Sequence, residues 1–271
     1  MSFYTSLTGL KNAQTNLNVA ANNIANAETG GFKKSKVEFA DIVAVSILTD
    51  PSLTQGIGSR TLAITQEFSL GPVEQTGNAL DLAINGDGFF TTVSPLSAQV
   101  QYTRAGSFTI DENGFIRNGQ GNRLQVFPVD AAGVVDPTGA PADAQIPATN
   151  AAGSEFAGAT VNTDGTLIAT YADGTNTPIG GVALASFLAP TGLKQLGNSS
   201  WVATGKSGAA TYGQPGSGLY GSLLSGSLER SNVDIAEELV GLITAQRYFQ
   251  ANAKAIDTAT QISQTIIQLR S

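Results

Sequence analysis

The sequence predicts an α+β protein in which paired terminal helices, coiled-coil-like in pattern, enclose a mainly antiparallel β middle. Three observations carry that class. An apolar seam with alternating spacings of four and three runs from Phe3 to about Ala27, a capped amphipathic segment fills the C-terminal end, and turn dipeptides punctuate short apolar runs between them.

The N-terminal seam is Phe3, Leu7, Leu10, Leu17, Ala21 and Ile24, with Gln14 in its one gap. It is the narrow stripe of a heptad pattern. Asn12, Asn16, Asn18, Asn22, Asn23 and Asn26 surround it. Asn is a poor helix former, so this helix needs packing partners to persist. Thr29-Gly30-Gly31 stops it.

The C-terminal helix opens at Asp234, with Glu237 three residues on, the spacing of a capping box, and runs to about Leu269. Such a helix is about 50 Å long. One apolar seam is Ile235, Leu239, Leu242, Phe249 and Ile256; a second, further along, is Ala255, Ala259, Ile262, Ile266 and Leu269. Gln246, Gln250, Lys254, Asp257, Gln261, Gln264 and Gln268 form a polar stripe on the remaining face. The shorter N-terminal helix can bury one seam at most, so the other calls for the β domain or a neighbouring chain. Low charge suits the second solution, because interfaces are depleted in Lys, Glu and Asp.

Between the helices, Asn85-Gly86, Asp87-Gly88, Asn113-Gly114, Asn118-Gly119, Asp164-Gly165 and Asp173-Gly174 mark hairpin turns. They delimit strands at 80–84, 88–93, 107–111, 123–129, 166–171, 182–187 and 201–204. The expected organisation is a helical assembly domain (1–28 plus 232–271), connecting segments (29–75 plus 219–231) and a β-rich outer domain (76–218). Within the last, the Ala-, Gly- and Pro-rich stretch 130–159 reads as a long loop.

Composition excludes much chemistry. The 271 residues contain no His and no Cys, which removes Ser-His-Asp and Cys-His nucleophiles, disulfides and His- or Cys-built zinc sites. Charged residues are only 13% and the net charge is −7, which argues against nucleic acid as the main partner. Lys33-Lys34-Ser35-Lys36 reads as a solvated loop. No run is long and apolar enough to predict membrane insertion, and the N-terminus lacks the basic and apolar regions of a cleaved signal peptide. No catalytic residue, metal ligand or cofactor is expected.

Two motifs resemble ligand loops. Ser200 to Ser207 ends in the Gly-Lys-Ser of a phosphate loop, but Ser200 stands where the first Gly belongs and no helix follows. Asp111-Glu112-Asn113-Gly114 resembles a calcium-loop fragment without its spaced acids and reads as a turn. Trp201 and Phe89-Phe90 read as β-domain core. A carboxylate hydrolase or a secreted adhesin remains as a more remote alternative.

Four separated blocks together resemble the bacterial flagellar rod and hook family. They are 22–33, with Asn22-Asn23-Ile24-Ala25-Asn26 and Thr29-Gly30-Gly31-Phe32-Lys33; 81–90; 102–108; and 228–252, with Leu228-Glu229-Arg230-Ser231-Asn232-Val233-Asp234. The opening Met1-Ser2-Phe3-Tyr4-Thr5-Ser6-Leu7 looks like hook members and unlike rod members, whereas the length is nearer that of the distal rod member. The resemblance implies a hook subunit, with the distal rod as the alternative. It implies export unfolded through the flagellar type III apparatus, then helical polymerisation into a torque-transmitting coupling outside the cell. Implied partners are further copies of itself, rod protein, hook cap and hook–filament junction proteins. Phe3, Leu7, Leu10, Leu17, Ile24, Ile235, Leu239, Leu242, Phe249, Ile256, Ile262, Ile266 and Leu269 become expected subunit-interface residues. Gln250, Gln261 and Gln264 become expected channel-facing residues.

Overall fold

The computed structural model describes residues 2–43, 56–130 and 134–269, and the chain divides into two compact units. One unit comprises Met1–Ala27, Lys34–Glu67 and Val233–Ser271; the other comprises Glu28–Lys33 and Phe68–Asn232.

The helical unit contains α1 (Ser2–Ala25), a β-ribbon of Ser35–Val43 with Gly56–Gln66, and α2 (Ile235–Gln268). Asp234 caps α2 as expected, its Oδ1 accepting from Ala236 N at 2.8 Å and Glu237 N at 3.2 Å. Glu237 accepts from Lys34 Nζ at 3.0 Å. The ribbon corrects the expectation of a plain connecting segment over 29–75. Val37 pairs with Ile64 and Phe39 with Thr61 in an antiparallel register that shifts between Glu38 and Phe39. The residues that join the two strands, 44–55, lie outside the described residues.

The ribbon also accounts for two of the asparagines of α1. Asn12 Nδ2 donates to Ser59 Oγ at 2.8 Å. Asn23 takes both backbone groups of Ser35, donating to its carbonyl and accepting from its N–H, each at 2.9 Å. Residues that weaken an isolated helix here satisfy an adjoining strand.

The β unit is antiparallel throughout. Its largest sheet follows the path Phe156–Val161, Thr166–Tyr171, Asn176–Val182, Arg123–Phe127, Phe89–Val93, Val100–Thr103, Ser200–Val202 and Lys194–Gly197. Leu82–Asn85 pairs with Ser222–Ser225, and Val73–Gln75 with Ser227–Glu229. Burial of Leu82, Ile84, Phe90, Phe108, Leu124, Leu167 and Leu223 builds the main core. Phe89, Tyr102, Phe187 and Trp201 form a second apolar cluster, with Phe68 edge-on to Trp201.

Two strand expectations need correction. The predicted strand 182–187 is two strands, because Asn176–Val182 joins Arg123–Phe127 while Leu184–Ser186 joins Phe89–Val93 and Thr211–Gly213. The stretch read as a loop over 130–159 contributes Ala144 and Ile146 to the main core, held by Ala144 N to Leu124 O at 2.8 Å and Ile146 N to Gly114 O at 2.8 Å. Residues 131–133 lie outside the described residues.

Candidate functional site

With no catalytic constellation predicted, surfaces are the place to look for function, and those of the helical unit stand out. Asn23 of α1 donates to Glu238 of α2 at 3.2 Å, and a Cβ placed on Gly9 would lie 2.6 Å from Asn252 Oδ1. Moving 14 residues along α1 therefore moves 14 residues back along α2. The helices run antiparallel and in step. Carried to Ser2, this register leaves the last turns of α2, from about residue 260, beyond the start of α1. That overhang is on the order of 15 Å at the α-helical rise.

Burial agrees. Leu7, Leu10, Leu17 and Ile24 on α1 and Leu242, Phe249 and Ile256 on α2 are partly buried. Phe3, Ile235 and Leu239 are exposed, and on the overhang Ile262, Ile266 and Leu269 are 55%, 59% and 83% exposed. Ile267 joins them at 69%. A row of bare isoleucines at helical spacing marks a surface meant for cover, whereas the β unit exposes isolated residues such as Leu96 and Leu188.

Gln250, Gln261 and Gln264 are all exposed. At about 100° per residue they lie within roughly 60° of one another, on a face about 120° from the one that meets α1. Ile262 and Ile266 occupy nearly the opposite flank from these glutamines. One flank of the C-terminal turns is thus amide-rich and another aliphatic.

The lysine run is the main correction to the site reading. Lys33 is fully buried, donating to Glu229 Oε1 at 2.6 Å and to Ser69 O at 2.6 Å. Glu229 Oε1 also accepts from Gly71 N at 3.0 Å, and Glu229 Oε2 from Arg104 NH1 at 3.2 Å. Arg104 NH2 reaches Gly86 O at 2.9 Å, and its guanidinium lies over the Phe89 ring. Burial pulls both Lys33 and Arg104 below their ordinary pKa values, against the opposing attraction of Glu229. Lys34, the next residue, serves the helical unit and bridges Glu237 and Glu238. A single sequence cannot show which lysine of a run is buried, because the carboxylate that neutralises it is 196 residues away.

The remaining motifs resolve as turns and core. Ser200–Val202 is a strand, and the Gly-Lys-Ser end is a turn tied by Thr204 N to Ser207 Oγ at 2.9 Å. Asp111 Oδ1 accepts from Asn113 N and Phe115 N, each at 2.9 Å, which is an Asx turn. Trp201, Phe89 and Phe90 are buried. Among the described residues, no group of His, Cys, Asp and Glu could hold a metal ion, and no helix is long and apolar enough to cross a membrane.

Comparison with known proteins finds three matching segments along the chain. Residues 3–33 match the flagella basal body rod protein model, 83–169 the D1 domain model of flagellar hook protein FlgE/F/G, and 224–269 the C-terminal model of flagellar basal body rod FlgEFG protein. The chain is 35% identical to the flagellar basal-body rod protein FlgG of Bacillus subtilis over 280 positions, covering 99% of this chain and 98% of that one. It is 33% identical to FlgG of Caulobacter vibrioides over 98% of each chain. It is 28% identical to the flagellar hook protein FlgE of Salmonella typhimurium over 411 positions, covering all of both. Helical ends around an antiparallel β unit, with relatives of these names along the whole length, define a structural axial protein and not an enzyme. The chain belongs to the flagellar hook and rod axial protein family.

Proposed function

We propose that this chain is a hook-type axial subunit, which polymerises helically through its terminal helices into a tubular, torque-transmitting segment of the flagellum. The observation that carries polymerisation is the overhang of α2. Ile262, Ile266 and Leu269 stand bare in the single chain, and covering one such side chain contributes about 1.5–3 kcal/mol. Three or four of them repeated in every subunit favour a neighbouring copy as the cover. A contact between different surfaces of identical subunits closes into a ring only if its rotation closes, and otherwise propagates as a helix. In this reading the exposed Phe3, Ile235 and Leu239 take part in the same packing, and Gln250, Gln261 and Gln264 face the channel. Residues 1–27 and 233–271 serve as the assembly region.

Hook over rod is supported by the opening Met1-Ser2-Phe3-Tyr4-Thr5-Ser6-Leu7. The 411 positions exceed this chain's 271 residues by 140, so the hook relative carries at least that many positions without a counterpart here. A hook subunit without that insertion fits both the opening residues and the length of this chain. The second reading, a distal rod subunit, is favoured by the near-equal lengths in the FlgG alignments. Export through the flagellar type III apparatus and contacts with rod, cap and junction proteins belong to the same proposal. Expression in strains lacking either the hook or the distal rod subunit tests it: restored hooks and swimming in the hook-less strain alone support the hook reading. Restoration in the rod-less strain alone replaces it with the rod.

A further inference from the structure

Residues Glu28–Lys33 lie near the N-terminus in sequence but belong to the β unit. Polar contacts attach them along the segment. Gly31 N donates to Glu229 O at 2.9 Å, Ser199 Oγ donates to Gly30 O at 3.0 Å, Glu28 pairs with Arg230, and Lys33 enters the buried Glu229–Arg104 cluster. Phe32 is buried, yet it belongs to neither apolar cluster of the unit. The receiving side is built for the segment. Ser199 adopts φ +52°, a conformation that favours Gly, and its own carbonyl is held by Thr103 Oγ1 at 2.7 Å. Glycine at that position would be easier on the backbone but could not bond Gly30. Gly31, at φ +65°, sits where a Cβ would run into the Ala105 backbone.

We propose that Glu28–Lys33 is a strap that docks onto the β unit and releases from it independently of the unit's core, with the Glu229 carboxylate as its receptor. Segments outside a unit's main apolar core can open before that core does. With the strap away, Glu229 keeps Arg104 and Gly71, so the receptor stays paired while Lys33 moves into water.

Hydrogen exchange on the full chain, read peptide by peptide, tests this. Lys33→Met is expected to speed exchange across 28–33 at least tenfold while peptides from Leu82–Asn85 and Arg123–Phe127 keep their protection. Lys34→Met, whose partners are Glu237 and Glu238, is expected to leave the strap protected. Should Lys33→Met fail to fold, Ser199→Gly, which removes one strap bond and relaxes the backbone, is expected to speed strap exchange without loss of core protection. Unchanged strap exchange, equal acceleration throughout the β unit, or equal release by Lys34→Met would each overturn the proposal.

Discussion

Asn23 and Glu238, 215 residues apart in sequence, meet at 3.2 Å inside the helical unit, where Asn23 also holds both backbone groups of Ser35. One amide thus ties α1 to α2 and to the ribbon. Asn23→Ala leaves a buried N–H, a carbonyl and one carboxylate oxygen short of a partner. The expected cost is about 2–3 kcal/mol, since each unmade buried bond costs on the order of 1–3 kcal/mol. Urea unfolding followed by helical circular dichroism measures it, and a loss below about 0.5 kcal/mol, the range of ordinary surface changes, would show that the triple contact does not hold the unit together.

Gly9 sets the closeness of the two helices. A Cβ there would press on the end of the Asn252 side chain, which can swing away, so Gly9→Ala is expected to be near neutral: the gain in helix propensity offsets the displacement. Gly9→Val adds branched bulk that must part the backbones and is expected to cost about 1–3 kcal/mol. The contrast between the two, read from thermal unfolding, is the prediction. Equal effects would place Gly9 away from the helix contact.

The chain has one tryptophan, Trp201, and it is fully buried in the β unit. Its emission therefore reports that unit alone. Leu242→Asp and Ile256→Asp, which put a charge into the partly buried side of α2, are expected to abolish assembly while Trp201 emission stays blue-shifted and unchanged. Normal polymers from one of these variants would remove its residue from the assembly surface.

Tyr102 hydroxyl lies 3.0 Å from that of Tyr212, and burial, reinforced by this bond, raises its pKa far above the ordinary phenol value. A raised folded-state pKa means that the neutral form is favoured on folding. Its contribution is fully present below about pH 10, the unfolded value, and is lost as pH climbs toward the folded one. Stability is therefore expected to fall above about pH 10, and less steeply in Tyr102→Phe. Identical alkaline slopes in the two proteins would contradict the assignment.

What the sequence could reveal followed from locality. The Asp234 cap, the bounds of α2, the strand Thr166–Tyr171 and the buried Phe89, Phe90 and Trp201 depend on neighbours within a few residues or on plain apolarity, and each was readable. The ribbon was not. Its two strands carry no turn dipeptide within the residues described, and its inward contacts are to asparagines that propensity alone scores as weak helix formers. The seam residues were legible as apolar, but periodicity could not say which of them α1 covers. That depends on the in-step antiparallel register fixed by Gly9 with Asn252 and Asn23 with Glu238. The burial of Lys33 was invisible for the same reason that Glu229 was: a charge reads as surface until its partner is known.

The central claim is that the last turns of α2 are left bare for a second copy of the chain. Electron microscopy of the concentrated full chain, beside Ile262→Asp and Ile266→Asp, tests it most directly, with thermal unfolding recorded on the same samples. Both side chains are exposed in the single subunit, so the variants should melt within a degree or two of the parent, as surface substitutions do. Tubes are expected from the parent and none from either variant. Tubes of normal length from Ile262→Asp and Ile266→Asp would contradict the claim.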